Sequence, residues 1–132
     1  MQKLSYKDWQ RSEYPPNYAI EFIAYANEKN ISEKDYLITF LASLNVVMIN
    51  GPCIELIPLG YMPLLPKLIE LCKKFELLEM SYWLNGIRLS YEQFKTHYDK
   101  YTFNMDPDYL LDYSSWYKDY DAEYFTLVPP VT

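Results

Sequence analysis

Six carboxylates and five tyrosines are interleaved near the end of this chain, between Asp106 and Tyr124. Tyr109, Tyr113, Tyr117, Tyr120 and Tyr124 are spaced 4, 4, 3 and 4 residues apart. That spacing sets all five on one face of an α-helix. The residues just before them are Asp108, Asp112, Trp116, Asp119 and Glu123, a neighbouring ridge that is acidic with one indole. Carboxylates beside phenol rings suit contact with something cationic, or a core that keeps one edge wet. They are a recognition chemistry, not a reaction signature.

The remaining chemistry-bearing residues are sparse. His97 is the only histidine. It falls among Phe94, Tyr98 and Tyr101 at helical spacing, the pattern of a packed histidine rather than a general base. A thiolate pair with Cys72 needs the fold to bring the two together. Asp106-Pro107-Asp108 supplies two acids, without a third ligand at metal spacing or a glycine-turned loop. With 3 glycines, phosphate-cradling loops have almost no material, and neither a nucleophile elbow nor a dinucleotide fingerprint occurs. The expectation is a protein that is not an enzyme and takes no metal or cofactor.

The charge is unevenly placed. Of a net charge of -6, the stretch from Met105 to Tyr124 carries -5, with Lys118 its one base. The preceding residues are nearly neutral. Such an end disfavours nucleic acid and anionic lipid and favours a basic protein. A long duplex mimic is excluded on magnitude. Residues 106–123 as helix span roughly 27 Å, over which duplex DNA carries roughly 16 charges, against six carboxylates here. The five rings, at roughly 150 Å² each, sum to roughly 750 Å², above the roughly 300–600 Å² of a monomer's largest exposed apolar patch. The ladder is therefore covered, by the body of the protein or by a partner.

The 132 residues suit a single domain, 1–132, and the 50% hydrophobic and 18% aromatic content excludes a disordered chain. Cys53 and Cys72 form no metal or redox motif and are read as buried free thiols of a reducing compartment. No apolar run long enough for a membrane span or a signal peptide is present. The expected location is the cytoplasm.

These features must be positioned by the elements around them. Residues 1–14 read as a loosely held segment. Pro15-Pro16 precedes a helix over 17–30, whose apolar side is Ala19, Ile20, Phe22, Ile23 and Ala26. Ser32 and Asp35 form a near capping box before a largely apolar helix through Leu44. Val46 to Ile49 turns β-branched, and Asn50-Gly51 is a hairpin signal before Cys53 to Ile57. Pro66 opens a helix to about Glu76, with Leu68, Ile69, Leu71, Cys72 and Phe75 inward. Asn85-Gly86 gives a second hairpin between Met80–Leu84 and Ile87–Leu89, and Ser90 with Gln93 caps the next helix. The acidic tyrosine-rich helix covers 105–126, although 117–126 also reads as an alternating strand. The resulting expectation is an α+β domain, four to five helices with a small antiparallel sheet built from two Asn-Gly hairpins.

In size, charge and compactness the chain is similar to small bacterial immunity proteins and phage anti-defence proteins. That likeness implies an inhibitor that occludes a basic cleft of a nuclease, toxin or defence effector. The partner-binding residues would be Asp108, Asp112, Tyr113, Trp116, Tyr117, Asp119, Tyr120 and Glu123. Two alternatives stand beside it. One is a structural or assembly protein of a phage or cellular complex, a homodimer included. The other is a small-ligand-binding domain with a tyrosine-lined pocket.

Overall fold

The computed structural model describes residues 18–51, 53–57, 59–98 and 119–128. Among them are five α-helices: α1 (Ala19–Lys29), α2 (Glu33–Asn50), α3 (Leu65–Lys74), α4 (Leu78–Tyr98) and α5 (119–127). Two short 3₁₀ turns, Cys53–Leu56 and Met62–Leu64, lie between α2 and α3. The described residues hold no strand. The fold is all-α, and the expected α+β class with its sheet is overturned. Of the anticipated helix over 105–126, the described part is 119–126; the segment 1–14 lies outside the described residues.

Both Asn-Gly pairs were read as hairpin turns, and neither is one. Asn50 is the last residue of α2, and Gly51 is its cap in extended conformation, its N–H bonded to the Val47 carbonyl at 2.9 Å. The Asn50 amide bonds the Val46 carbonyl at 2.9 Å, so the side chain closes the helix instead of starting a turn. Val46 to Ile49 continue α2 despite their β-branched character, since Val47 and Met48 are buried. Burial outweighs a propensity difference of a few tenths of a kcal/mol per residue. Asn85-Gly86 lies in the middle of α4, where Asn85 Oδ1 accepts from Arg88 Nε and Nη2. Ser90 is interior to the same helix and starts nothing.

The helix ends follow local chemistry. Tyr18 precedes α1 without a side-chain cap, and α1 stops at Asn30, whose φ of 48° is the left-handed conformation asparagine tolerates. The Ser32 hydroxyl accepts from the Asp35 N–H at 3.1 Å and starts α2. Pro66 occupies the first turn of α3. That helix ends in a Schellman motif, with Glu76 at φ 64°. Leu77 N–H bonds the Cys72 carbonyl at 2.7 Å, and Glu76 N–H bonds that of Lys73 at 3.1 Å. Three residues then suffice to fold α4 back on α3.

The core is built around α2, which is apolar on most sides. Leu37, Phe40, Leu41 and Leu44 from α2 pack with Phe22 of α1, Leu65, Leu68 and Cys72 of α3, and Leu84 and Ile87 of α4. Phe22, Phe40 and Tyr61 form an aromatic knot with centroid distances of 5.6–6.4 Å. The apolar side anticipated for α1 is only partly inward. Ala19, Phe22 and Ala26 are buried, whereas Ile20 is 78% exposed and Ile23 40%.

Candidate functional site: the acidic edge of α5 and the groove beside it

Four hydrogen bonds and two ring contacts seat α5 on the body. The Tyr124 ring is fully buried, 5.2 Å from the Trp83 ring, and its hydroxyl donates to Asn45 Oδ1 at 2.9 Å. Burial raises its phenol above the ordinary tyrosine value. Trp83 Nε1 donates to the Tyr120 carbonyl at 2.9 Å. The Tyr120 ring lies over Gly86 so closely that a Cβ there would stand 2.8 Å from its Cε1. Its hydroxyl shares a 3.0 Å hydrogen bond with Ser90 Oγ. Asp121 Oδ1 accepts the Cys53 backbone N–H at 2.7 Å, tying α5 to the turn after α2.

The sequence reading gave Trp83 and Gly86 to a hairpin, Ser90 to a helix cap and Asn45 no role, yet these four receive the end of the ladder. Helical periodicity could have found them. Met80, Trp83, Leu84, Ile87 and Tyr91 recur at i, i+3, i+4, i+7 and i+11. In a helix of that phase, Gly86 and Ser90 share one neighbouring face.

Of the eight residues assigned to partner binding, Asp108, Asp112, Tyr113, Trp116 and Tyr117 lie outside the described residues. Asp119 and Glu123 are exposed, one helical turn apart on α5. Tyr120 is half-buried, with its ring engaged inside the molecule. The preceding-residue ridge thus faces solvent at both described acidic positions, while the tyrosine stripe, at Tyr120 and Tyr124, faces the body.

Between α4 and α5 runs an open groove of about 350 Å³, lined by Glu79, Tyr82, Trp83, Tyr120, Glu123, Thr126 and Leu127. Its walls are mainly apolar, and each helix contributes one carboxylate. A second hollow of about 380 Å³ lies between Tyr18, Val46, Asn50, Glu55 and Leu59, with a single acid.

Nucleophilic chemistry has little support from the thiols. Cys53 and Cys72 are both free and buried. Burial pushes the Cys72 thiol up to about 12. Burial raises Cys53 further, and the neighbouring Asp121 carboxylate adds to the rise. Both remain protonated near neutrality, and thiolate is the reactive form. Among the described residues no group of three His, Cys, Asp or Glu side chains is placed to hold a metal ion. No helix among them is long and apolar enough to cross a membrane. Comparison with protein families, with curated proteins and with solved structures gave no match.

Proposed function

We propose that this protein is a binding protein that occludes a basic cleft of a partner, using the acidic edge that α5 carries. A nuclease, toxin or defence effector is the class of partner such a surface suits. The observation that carries the reading is the way α5 is held. Tyr120, Asp121 and Tyr124 fix it to the body while Asp119 and Glu123 point to solvent from the same two turns. A helix fixed by its neighbours presents charge at little ordering cost on binding. Carboxylates so presented pair with arginine or lysine, and the concentration of negative charge in 105–124 steers encounter.

The test is partner capture followed by surface-plasmon kinetics with Asp112→Lys and Asp119→Lys combined. The double variant should keep its melting temperature: Asp119 is exposed, and exposed charges contribute little to folding. Its association with the captured partner should slow by about tenfold or more at low salt, an effect that shrinks at moderate salt. Association as fast as the parent's at both salt concentrations would overturn the proposal. Capture of an acidic partner would do so too.

A further inference from the structure

We propose that the groove between α4 and α5 is an arginine-side-chain site, taking a guanidinium from a basic segment of a partner. This deepens the reading of α5 as a basic-partner surface and rests on it. Two properties of the groove choose the occupant. Its walls are aromatic and aliphatic, from Tyr82, Tyr120, Leu127 and an edge of the otherwise buried Trp83. Its rims are acidic, with Glu79 from α4 on one helix and Glu123 from α5 on the other. Neither carboxylate has an ion-pair partner among the described residues.

A purely apolar side chain would leave both carboxylates unused and lower their hydration. A compact ammonium would meet the rims but make poor use of the rings. Arginine satisfies both. Its methylene stem packs on apolar surface, and its planar guanidinium stacks on aromatic faces while its forked donors meet carboxylates. Tyr82 is the natural outer wall, since the residue is 78% exposed. An aromatic ring left that open in a groove gains most from a weakly hydrated cation. The volume, about 350 Å³, is at the lower end of small-molecule pockets, roughly 300–1,000 Å³. It accommodates a side chain rather than a large cofactor.

The seating of α5 makes the site dependable. The Trp83 indole N–H is held by the Tyr120 carbonyl, so the wall residues are positioned before any ligand arrives.

The experiment is an NMR titration of the whole chain with the capped tripeptide Ac-Ala-Arg-Ala-NH2. The lysine and citrulline versions are run in parallel. Saturable shifts are expected at Glu79, Tyr82, Trp83 and Glu123. The citrulline peptide, equal in shape and without charge, should bind at least about tenfold more weakly, and the lysine peptide several-fold more weakly. Glu79→Gln with Glu123→Gln should remove the preference for arginine over citrulline while leaving the melting temperature unchanged. Tyr82→Ala should weaken the arginine peptide more than the lysine peptide. Equal shifts from the arginine and citrulline peptides would overturn the proposal, and so would shifts confined to residues away from the groove. Absence of saturation at the peptide's solubility limit would also overturn it.

The two readings can fail separately. A captured basic partner that binds Glu79→Gln combined with Tyr82→Ala as tightly as the parent, yet associates more slowly with Asp119→Lys, defeats the groove and spares the acidic edge. An arginine-selective groove in a protein whose captured partner is acidic defeats the edge and spares the groove.

Discussion

Tyr124 joins packing, hydrogen bonding and ionisation in one side chain. Its ring fills space against Trp83, and its hydroxyl reaches Asn45. Tyr124→Phe keeps the ring and removes the donor, so at pH 8 it should cost about 1–3 kcal/mol, much of it from a half-buried Asn45 oxygen left without that partner. The same change should alter the response to alkali. A phenol whose folded value is raised above 10.0 lends stability that is present below that value and lost as pH rises through the folded one. Cys72 acts likewise between 9.0 and about 12. Unfolding therefore releases protons in alkali, and the parent's stability should fall steadily above pH 9. Denaturant titrations from pH 8 to pH 11 should show the phenylalanine variant starting lower and declining less steeply above pH 10. A decline as steep as the parent's would mean that the buried phenol does not take part.

The helix pair α4–α5 shows what one glycine decides. An alanine in a helix interior is ordinarily better than glycine by roughly 0.5–1 kcal/mol. At Gly86 the added Cβ would press on the Tyr120 ring, 2.8 Å away, and displacing that ring gives up the Ser90 bond. Gly86→Ala should therefore be neutral to destabilising by about 1 kcal/mol in the parent, and stabilising by about 0.5–1 kcal/mol in a Tyr120→Ala background. A double-mutant cycle by thermal or chemical unfolding reads the coupling, and additive changes would show that the two do not press on each other. This position also explains the failed hairpin. Asn-Gly favours a tight turn when the flanking runs alternate in and out, but from Met80 onward the buried residues recur at three and four. Glycine here serves a close approach of helices, a purpose that the dipeptide alone does not reveal. Asn50-Gly51 misled for a different reason. Asparagine and glycine also end helices, and the length of α2 is set by burial of Val47 and Met48, which depends on the rest of the molecule.

At the scale of the whole molecule, the positions with strong helical periodicity were the legible ones. Leu41 and Leu71 were readable as inward residues, and both are buried. Leu41→Ala and Leu71→Ala should each cost about 2–5 kcal/mol, since each leaves a cavity in a closely packed interior. Denaturant titration measures this, and losses under about 1 kcal/mol at both would mean a core able to collapse around the gaps. The helix starts marked by Ser32 and Pro66 were equally legible, because each acts on backbone groups within one turn. What escaped the sequence was tertiary: that α1 turns Ile20 outward, that α4 is one helix, and that Glu79 and Tyr82 face α5 across a groove. The acidic ridge and the tyrosine stripe could be listed from the sequence, yet that Tyr120 and Tyr124 pack inside the molecule depended on α4.

The hydrogen bonds that seat α5 join residues 30, 37, 68 and 79 positions apart. By contrast, α3 and α4 are joined by three residues and find each other locally. Contacts that close long loops carry a larger entropy cost and form after local ones. Docking of α5 is therefore expected late in folding, with Trp83, Asn45 and the Cys53 amide solvated until then. Before that step Glu123 would not stand opposite Glu79, and the groove would be incomplete. A partner that recognises this face would consequently bind only finished molecules, and its binding would report that folding is complete.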